Sequence, residues 1–193
     1  MAQDALILAS GSRYRAELLS RLRIPFETWS PDIDESALPR EAAAQTALRL
    51  AHLKAQAGAQ AHPRRCVIGS DQVADCGGQA VNKPGTLEAA RAQLRELSGR
   101  RVLFHTGLCV IGAGGRRQER VVTTDVVFRP LTDPEIERYL ALEPAIDCAG
   151  SAKSEGLGIA LLQRLGGDDP TALVGLPLIA LSQMLRAEGY PLP

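Results

Sequence analysis

Directly after an apolar run at 5–9, the chain reads Ser10-Gly11-Ser12-Arg13-Tyr14-Arg15. Small hydroxyl residues and a glycine at a helix start leave backbone N–H groups free to meet an anion, and the helix dipole favours it. Arg13 and Arg15 add positive charge. The plainer alternative is an N-cap at Ser12 with solvated arginines on the first turn. Lys54 is a second signal, because Ala43, Ala47, Leu50, Lys54 and Ala57 form one stripe at helical spacing. A lysine within a buried stripe is costly unless it finds a partner or reaches water. A ligand phosphate would be such a partner; a snorkelling side chain is the competing reading.

Carboxylates complete the set. In Ile68-Gly69-Ser70-Asp71-Gln72-Val73, Asp71 stands just past the apolar Cys66-Val67-Ile68, at the expected end of a strand. Ligands of open α/β sheets gather at such ends, although a carboxylate there also serves to bond turn N–H groups. Asp34-Glu35 lies in an acidic loop, and Lys83 precedes the rigid Pro84. Carboxylates hold a hard dication, whereas lysine and arginine hold phosphate oxygens. A polyphosphate with Mg²⁺ needs both signs in one place. The residues therefore point to metal-dependent phosphate-ester or anhydride chemistry. No P-loop is present, since Gly77-Gly78-Gln79-Ala80-Val81-Asn82-Lys83-Pro84 lacks the G-K-[ST] ending. No G-x-G-x-x-G follows the first strand either.

The elements that must position these residues alternate early in the chain. A strand is expected at 5–9, then a helix capped by Ser12 that carries Tyr14, Leu18, Leu19 and Leu22 at helical spacing. Pro25 ends it, and a strand follows at 26–30. An alanine-rich helix spans 39–57 and is expected to stop at Gly58. After a core strand at 65–70, Gly77-Gly78 signals a hairpin between Val73 and Val81. A helix at 86–97 with Thr86 as N-cap precedes two long strands, 102–111 and 121–128, joined by a glycine-rich turn. Thr132-Asp133-Pro134-Glu135 matches a capping box for a helix at 131–142. A last strand at 157–162 and a helix at 170–187, disturbed early by Gly175 and Pro177, close the reading. The pattern gives an α/β fold, a mixed twisted sheet flanked by helices, with no linker that splits residues 1–193 into separate domains.

Composition narrows the partners. The chain has 193 residues, with 22 basic and 22 acidic side chains, and 45% of it is hydrophobic. That share, at zero net charge, excludes disorder as a description of the whole. The balance also argues against a nucleic-acid footprint, which needs a basic excess or stripe. No apolar run approaches a membrane span, and Met1-Ala2-Gln3-Asp4 gives no basic flank for a secretory signal, so a cytoplasmic address is expected. Cys66, Cys76, Cys109 and Cys148 contain no C-x-x-C, and His52, His62 and His105 show no zinc spacing, so spacing supports no zinc site.

Taken in order, several segments resemble the Maf family of nucleoside triphosphate pyrophosphatases. They are Ser10 to Arg15, Asp34-Glu35, Leu50-Ala51-His52-Leu53-Lys54-Ala55, Gly69-Ser70-Asp71-Gln72, Lys83-Pro84, Thr106-Gly107, Ala149-Gly150-Ser151 and Val174-Gly175-Leu176-Pro177-Leu178. The resemblance implies Asp71 as the catalytic acid–base or metal-binding carboxylate, with Glu35 assisting at a Mg²⁺ or Mn²⁺ ion. It implies Ser10, Ser12, Arg15, Lys54 and Lys83 as substrate contacts. It further implies two lobes with a central cleft, as in inosine triphosphate pyrophosphatases, and a homodimer. Arg13 stands where many members carry proline. Tyr14, Gln72 and Glu155 are similar to the subgroup acting on 7-methyl-GTP, for which they are the specificity positions. The rival expectations are a pyrophosphatase for dTTP and UTP, and a non-catalytic nucleotide sensor that regulates division.

Overall fold

The computed structural model of the protein describes residues 5–193, so the reading of Met1–Asp4 as lacking a signal lies outside the described residues. Among the described residues, seven strands and five α-helices follow one another. They are β1 (Leu6–Ala9), α1 (Arg13–Ser20), β2 (Phe26–Trp29), α2 (Ala43–Ala61), β3 (Val67–Cys76), β4 (Gln79–Val81), α3 (Leu87–Leu97), β5 (Arg101–Ile111), β6 (Arg117–Phe128), α4 (Asp133–Leu142), β7 (Leu162–Gly166) and α5 (Leu178–Ala187). The strands hydrogen-bond in the order β2-β1-β3-β5-β6-β7, with β4 on β3. β1 pairs in parallel with β2 and β3, whereas β3–β4 and β6–β7 are antiparallel. The sheet is mixed, as the sequence pattern implied. Among the described residues no helix is long and apolar enough to cross a membrane.

The chain resolves into two compact units. The first comprises the residues up to Gln72, Thr106–Val122 and Asp169–Pro193. Side-chain alternation along its strands builds two apolar layers. Leu6 and Leu8 of β1, Ile68 of β3 and Leu108 and Val110 of β5 pack with Leu18 and Leu19 of α1 and with Ala180, Leu181, Met184 and Leu185 of α5. The intervening residues Ile7, Ala9 and Val67 face the other way, against Trp29 and Ala59. Cys109 of β5 meets Ala51 and Ala55 of α2. Helix α2 therefore covers one face, and α1 with α5 covers the other.

How close α2 comes is set by glycine. A Cβ on Gly69 of β3 would lie 2.2 Å from the Ala51 carbonyl oxygen, and one on Gly107 of β5 would lie 2.2 Å from that of Ala47. The expectation that Gly58 stops this helix is corrected, because α2 runs on to Ala61. Gly58 instead provides clearance, since a Cβ there would meet Val67 at 2.7 Å and Ala9 at 3.2 Å.

The second unit comprises Val73–His105 and Thr123–Asp168. Gly77 and Gly78, with φ of 64° and 88°, turn β3 into β4 through the expected hairpin. Thr86 caps α3, its hydroxyl accepting from the Ala89 N–H at 3.1 Å. Glu135 reaches back to the Thr132 N–H at 2.8 Å, so the capping signal at α4 also holds. The two helices pack together and share the Arg91–Glu137 and Arg95–Asp133 ion pairs.

Three further expectations change. Asp71 does not follow a strand end, because β3 continues through it for ten residues. The strand expected at 157–162 is a 3₁₀ segment at Leu157–Leu161 leading into β7. The helix expected from residue 170 is a single 3₁₀ turn at Ala172–Val174, broken at Gly175 with φ 114°, before α5 begins.

Substituting Gly69→Ala or Gly107→Ala forces α2 off the sheet, and overpacking of this kind costs roughly 1–3 kcal/mol. Gly114→Ala, where no atom lies within 4 Å of the added methyl, stays within about 0.5 kcal/mol of wild type. Urea unfolding of the three variants measures the contrast.

Candidate functional site

Lys54 emerges from the buried face of α2 with only 6% of its surface exposed. It does not snorkel to water. Its Nζ lies 2.6 Å from Asp71 Oδ1 and 2.6 Å from Glu35 Oε1. Asp71 is itself buried on β3, whereas Glu35 sits on the solvent side of the cluster. A buried ammonium is tolerable here because opposite charge and hydrogen bonds replace its water. Two carboxylates thus converge on one cationic centre.

The loop that carries Glu35 is tied to the same helix. Arg49 of α2 donates to the Ser36 carbonyl at 2.9 Å and grips both oxygens of Glu41 at 2.7 Å. Glu41 also accepts from the Thr46 hydroxyl at 2.9 Å and the Leu38 N–H at 3.1 Å. These donors, Arg49 foremost, hold its carboxyl at about 2. Asp34 accepts from the Ser36 N–H at 2.9 Å, which shapes the turn beside Glu35.

On the opposite layer, Ser12 caps α1 as expected, its hydroxyl facing the Arg15 N–H at 3.4 Å. Ser10 is buried, and its Oγ accepts from the Ser12 N–H at 3.2 Å and from Arg15 at 3.3 Å. Arg15 Nε donates to the Gly175 carbonyl at 2.8 Å. Burial lowers the Arg15 pKa, with Asp71 and Glu35 pulling in the opposite direction. A guanidinium nevertheless stays charged at any ordinary pH. The Arg13 guanidinium lies over the Tyr14 ring, 4.8 Å from the centroid.

The sequence reading used only Val174–Leu178 of the segment 169–178, as a point of resemblance, yet Ser70, Gln72 and Thr106 join Arg15 in fastening the segment. Ser70 donates to the carbonyls of Gly107 and Gly175 at 2.8 and 3.0 Å. Gln72 places its amide nitrogen 2.9 Å from Thr106 Oγ1, 2.9 Å from the Ala172 carbonyl and 3.0 Å from that of Leu173. Thr106 donates to the Ala172 carbonyl at 2.9 Å. Asp169 accepts from the Ile179 and Ala180 N–H groups, capping α5 from within the segment. Gln72 is thereby committed to holding backbone. The available signal was the polar run Ser70-Asp71-Gln72 inside a core strand, together with Thr106.

Lys83 and Glu155 belong to the second unit. Lys83 is exposed on a segment fixed at both ends, by Gln93 donating to the Asn82 carbonyl at 2.9 Å and by the Gly85 N–H donating to Ile146 at 3.0 Å. Glu155 is exposed on a turn closed by the Gly156 N–H and the Lys153 carbonyl, 3.0 Å apart. Glu143 braces that turn, accepting from the Tyr139 hydroxyl and the Gly158 N–H, both at 3.0 Å.

The Maf-like protein family model matches residues 5–188. A protein of Xanthomonas campestris pv. campestris named 7-methyl-GTP pyrophosphatase is 57% identical over 188 residues, which cover 97% of this chain and 98% of that protein. One of the same name from Aromatoleum aromaticum is 56% identical over 194 residues, covering 100% of both. Among solved structures, the Staphylococcus aureus Ham1 protein aligns with 65% of this chain and 72% of its own at 16% identity, with a TM-score of 0.47.

The Glu41 clamp has a pH signature. Its carboxyl falls from an ordinary 4.5 to about 2 in the folded chain, so its contribution is complete above 4.5 and disappears as pH falls towards 2. Glu41→Gln accordingly lowers Tm at pH 7, and the gap from wild type closes between pH 4.5 and pH 2. Thermal melts of both proteins across that range test it; a constant gap contradicts the clamp.

Proposed function

The chain belongs to the Maf-like protein family, and from that premise we propose that it hydrolyses 7-methyl-GTP to 7-methyl-GMP and diphosphate. The observation that carries the chemistry is the buried Lys54 ammonium held between Asp71 and Glu35. The choice of nucleotide is supported by the names of its full-length relatives. We place the enzyme in the cytoplasm, as a homodimer.

An ammonium has three donors. Two of those on Lys54 face carboxylates, and the third is available to a phosphate oxygen. Arg15, the hydroxyls of Ser10 and Ser12 and the first N–H groups of α1 supply further donors in the same unit. Lys83, an exposed cation of the second unit, is taken as a further substrate contact on the family resemblance alone. Asp71 and Glu35 fit a hard dication, because both present carboxylate oxygens to one centre. They would hold Mg²⁺ or Mn²⁺. Such an ion, when bound, polarises phosphoryl oxygen and lowers the pKa of water. Asp71 accepts the proton of the attacking water, whose oxygen bonds to the α-phosphorus. The bond from that phosphorus to the bridging oxygen breaks, and diphosphate leaves with the electron pair.

Methylation at N7 gives guanine a positive charge that GTP lacks. Tyr14 is suited to it, since its ring already faces the Arg13 guanidinium, and such contacts contribute roughly 0.5–2 kcal/mol. Glu155, exposed on the second unit, is proposed as a specificity residue on the family resemblance alone. Gln72 acts at one remove, through the carbonyls at 172 and 173 that it holds.

Diphosphate release across a nucleotide panel tests the activity. The highest kcat/KM is expected for 7-methyl-GTP; faster turnover of dTTP or UTP, or no release at all, overturns the reading. Asp71→Asn should lower turnover at least a hundredfold while circular dichroism shows a folded chain.

The base contacts predict a second result. Glu155→Gln reduces the ratio of kcat/KM for 7-methyl-GTP over GTP, and Tyr14→Ala reduces it further. An unchanged ratio in both variants would mean that neither side chain reads the base.

A further inference from the structure

Three side chains that the reaction does not use meet elsewhere in the first unit. His52 on α2, Cys109 on β5 and Glu119 on β6 bring one imidazole nitrogen, one sulphur and one carboxylate oxygen within 4.8 Å of one another. His52 Nδ1 lies 2.5 Å from Glu119 Oε1, and Cys109 Sγ lies 3.8 Å from the same oxygen. The Cys109 thiol donates only a long, weak hydrogen bond to that carboxylate. A dication between them would replace it with two metal–ligand bonds.

Other features of the cluster suit a metal. Gln56, one turn along α2, places its Oε1 3.2 Å from His52 Nε2. When a metal replaces the Nδ1–Glu119 hydrogen bond, that carbonyl can accept from the Nε2–H, the usual way an outer partner fixes a ligating histidine. An open pocket of about 500 Å³, lined by His52 and Glu119 together with Gln45 and Leu48, gives a route in from solvent and room for a water ligand. Arg117 now neutralises Glu119, with Nε 3.3 Å from the carboxylate and Nη1 3.4 Å from His52 Nε2. Its side chain is 53% exposed and free to swing away.

We propose that His52 Nδ1, Cys109 Sγ and a Glu119 oxygen bind one zinc-class dication, with water as the fourth ligand. Nitrogen, sulphur and oxygen donors of this kind select a borderline transition metal over Mg²⁺. Tetrahedral bonds of roughly 2.0–2.3 Å separate the ligand atoms by about 3.3–3.6 Å, so the cluster needs shifts of under about 1 Å. Binding breaks the S–H bond, forms the S–metal bond and releases the thiol proton to solvent. The ion then ties α2 to β5 and β6. Spacing in the sequence gave no sign of it because the three ligands come from three elements.

Cobalt(II) titration of the metal-stripped, full-length protein is the direct test. One equivalent should produce a thiolate-to-cobalt charge-transfer band that zinc bleaches. Cys109→Ala and His52→Ala should each abolish it, and Gln56→Ala should weaken zinc in chelator competition by roughly tenfold to a hundredfold. His52→Ala changes a partly exposed helix residue, so it reports even if Cys109→Ala does not fold. No thiolate band, or a band that survives His52→Ala, overturns the proposal. Cobalt bound only by Asp71 and Glu35 would give no sulphur band, so the outcome is independent of the proposed hydrolysis.

Discussion

Where β3 and β5 carry Gly69 and Gly107, the backbone of α2 rests on the sheet with no room for a methyl group between them. This close seat delivers the Lys54 ammonium to Asp71, which projects from the strand beneath. Held further out, the same lysine would reach water and become an ordinary solvated cation. Depth also explains the composition of the cluster. A buried ammonium facing one carboxylate satisfies part of its donors; Glu35, arriving on a loop that Arg49 anchors to the same helix, completes a second contact. One helix therefore carries the ammonium directly and positions Glu35 through its grip on the loop, while β3 supplies Asp71.

The sequence announced the lysine of this cluster as an anomaly, a cation in an apolar helical stripe, and Asp71 and Glu35 as the carboxylates beside it. It also announced the ends of elements, because caps and tight turns use local chemistry: Ser12, Thr86, Glu135 and the Gly77-Gly78 hairpin all act within a few residues of themselves. Asp71 was harder to place. Polar residues in a strand interior resemble a strand end, and β3 continues through Ser70-Asp71-Gln72 only because distant partners satisfy those side chains. Gly58 was misleading for a related reason. A glycine near a helix terminus and a glycine that admits a neighbouring strand look alike until the neighbour is known.

The segment 169–178 was the least visible part. Its contacts use carbonyl oxygens of Ala172, Leu173 and Gly175, and every residue offers a carbonyl. Nothing in the type or spacing of those residues distinguishes the ones that Ser70, Gln72, Thr106 and Arg15 select. The left-handed backbone at Gly175 is the exception: its φ of 114° turns the chain between the 3₁₀ turn and α5, with Arg15 lying against it.

Those contacts span long stretches of chain. Arg15 and Gly175 are 160 residues apart, and Ser70 and Gly175 are 105 apart. Closing such loops is slow, and the entropy is lost before the bonds are gained. During synthesis, α1, α2 and β3 leave the ribosome long before the segment that their polar side chains hold. Until it arrives, Ser70, Gln72, Thr106 and Arg15 lack the carbonyl partners that this segment supplies, and the apolar face of α5 is missing from the core. A nascent chain interrupted before residue 169 would thus contain both the lysine and the aspartate of the cluster without the enclosure that organises them. The first unit can complete its folding only when translation has passed residue 185, which makes its maturation late and its incomplete forms natural clients for chaperones.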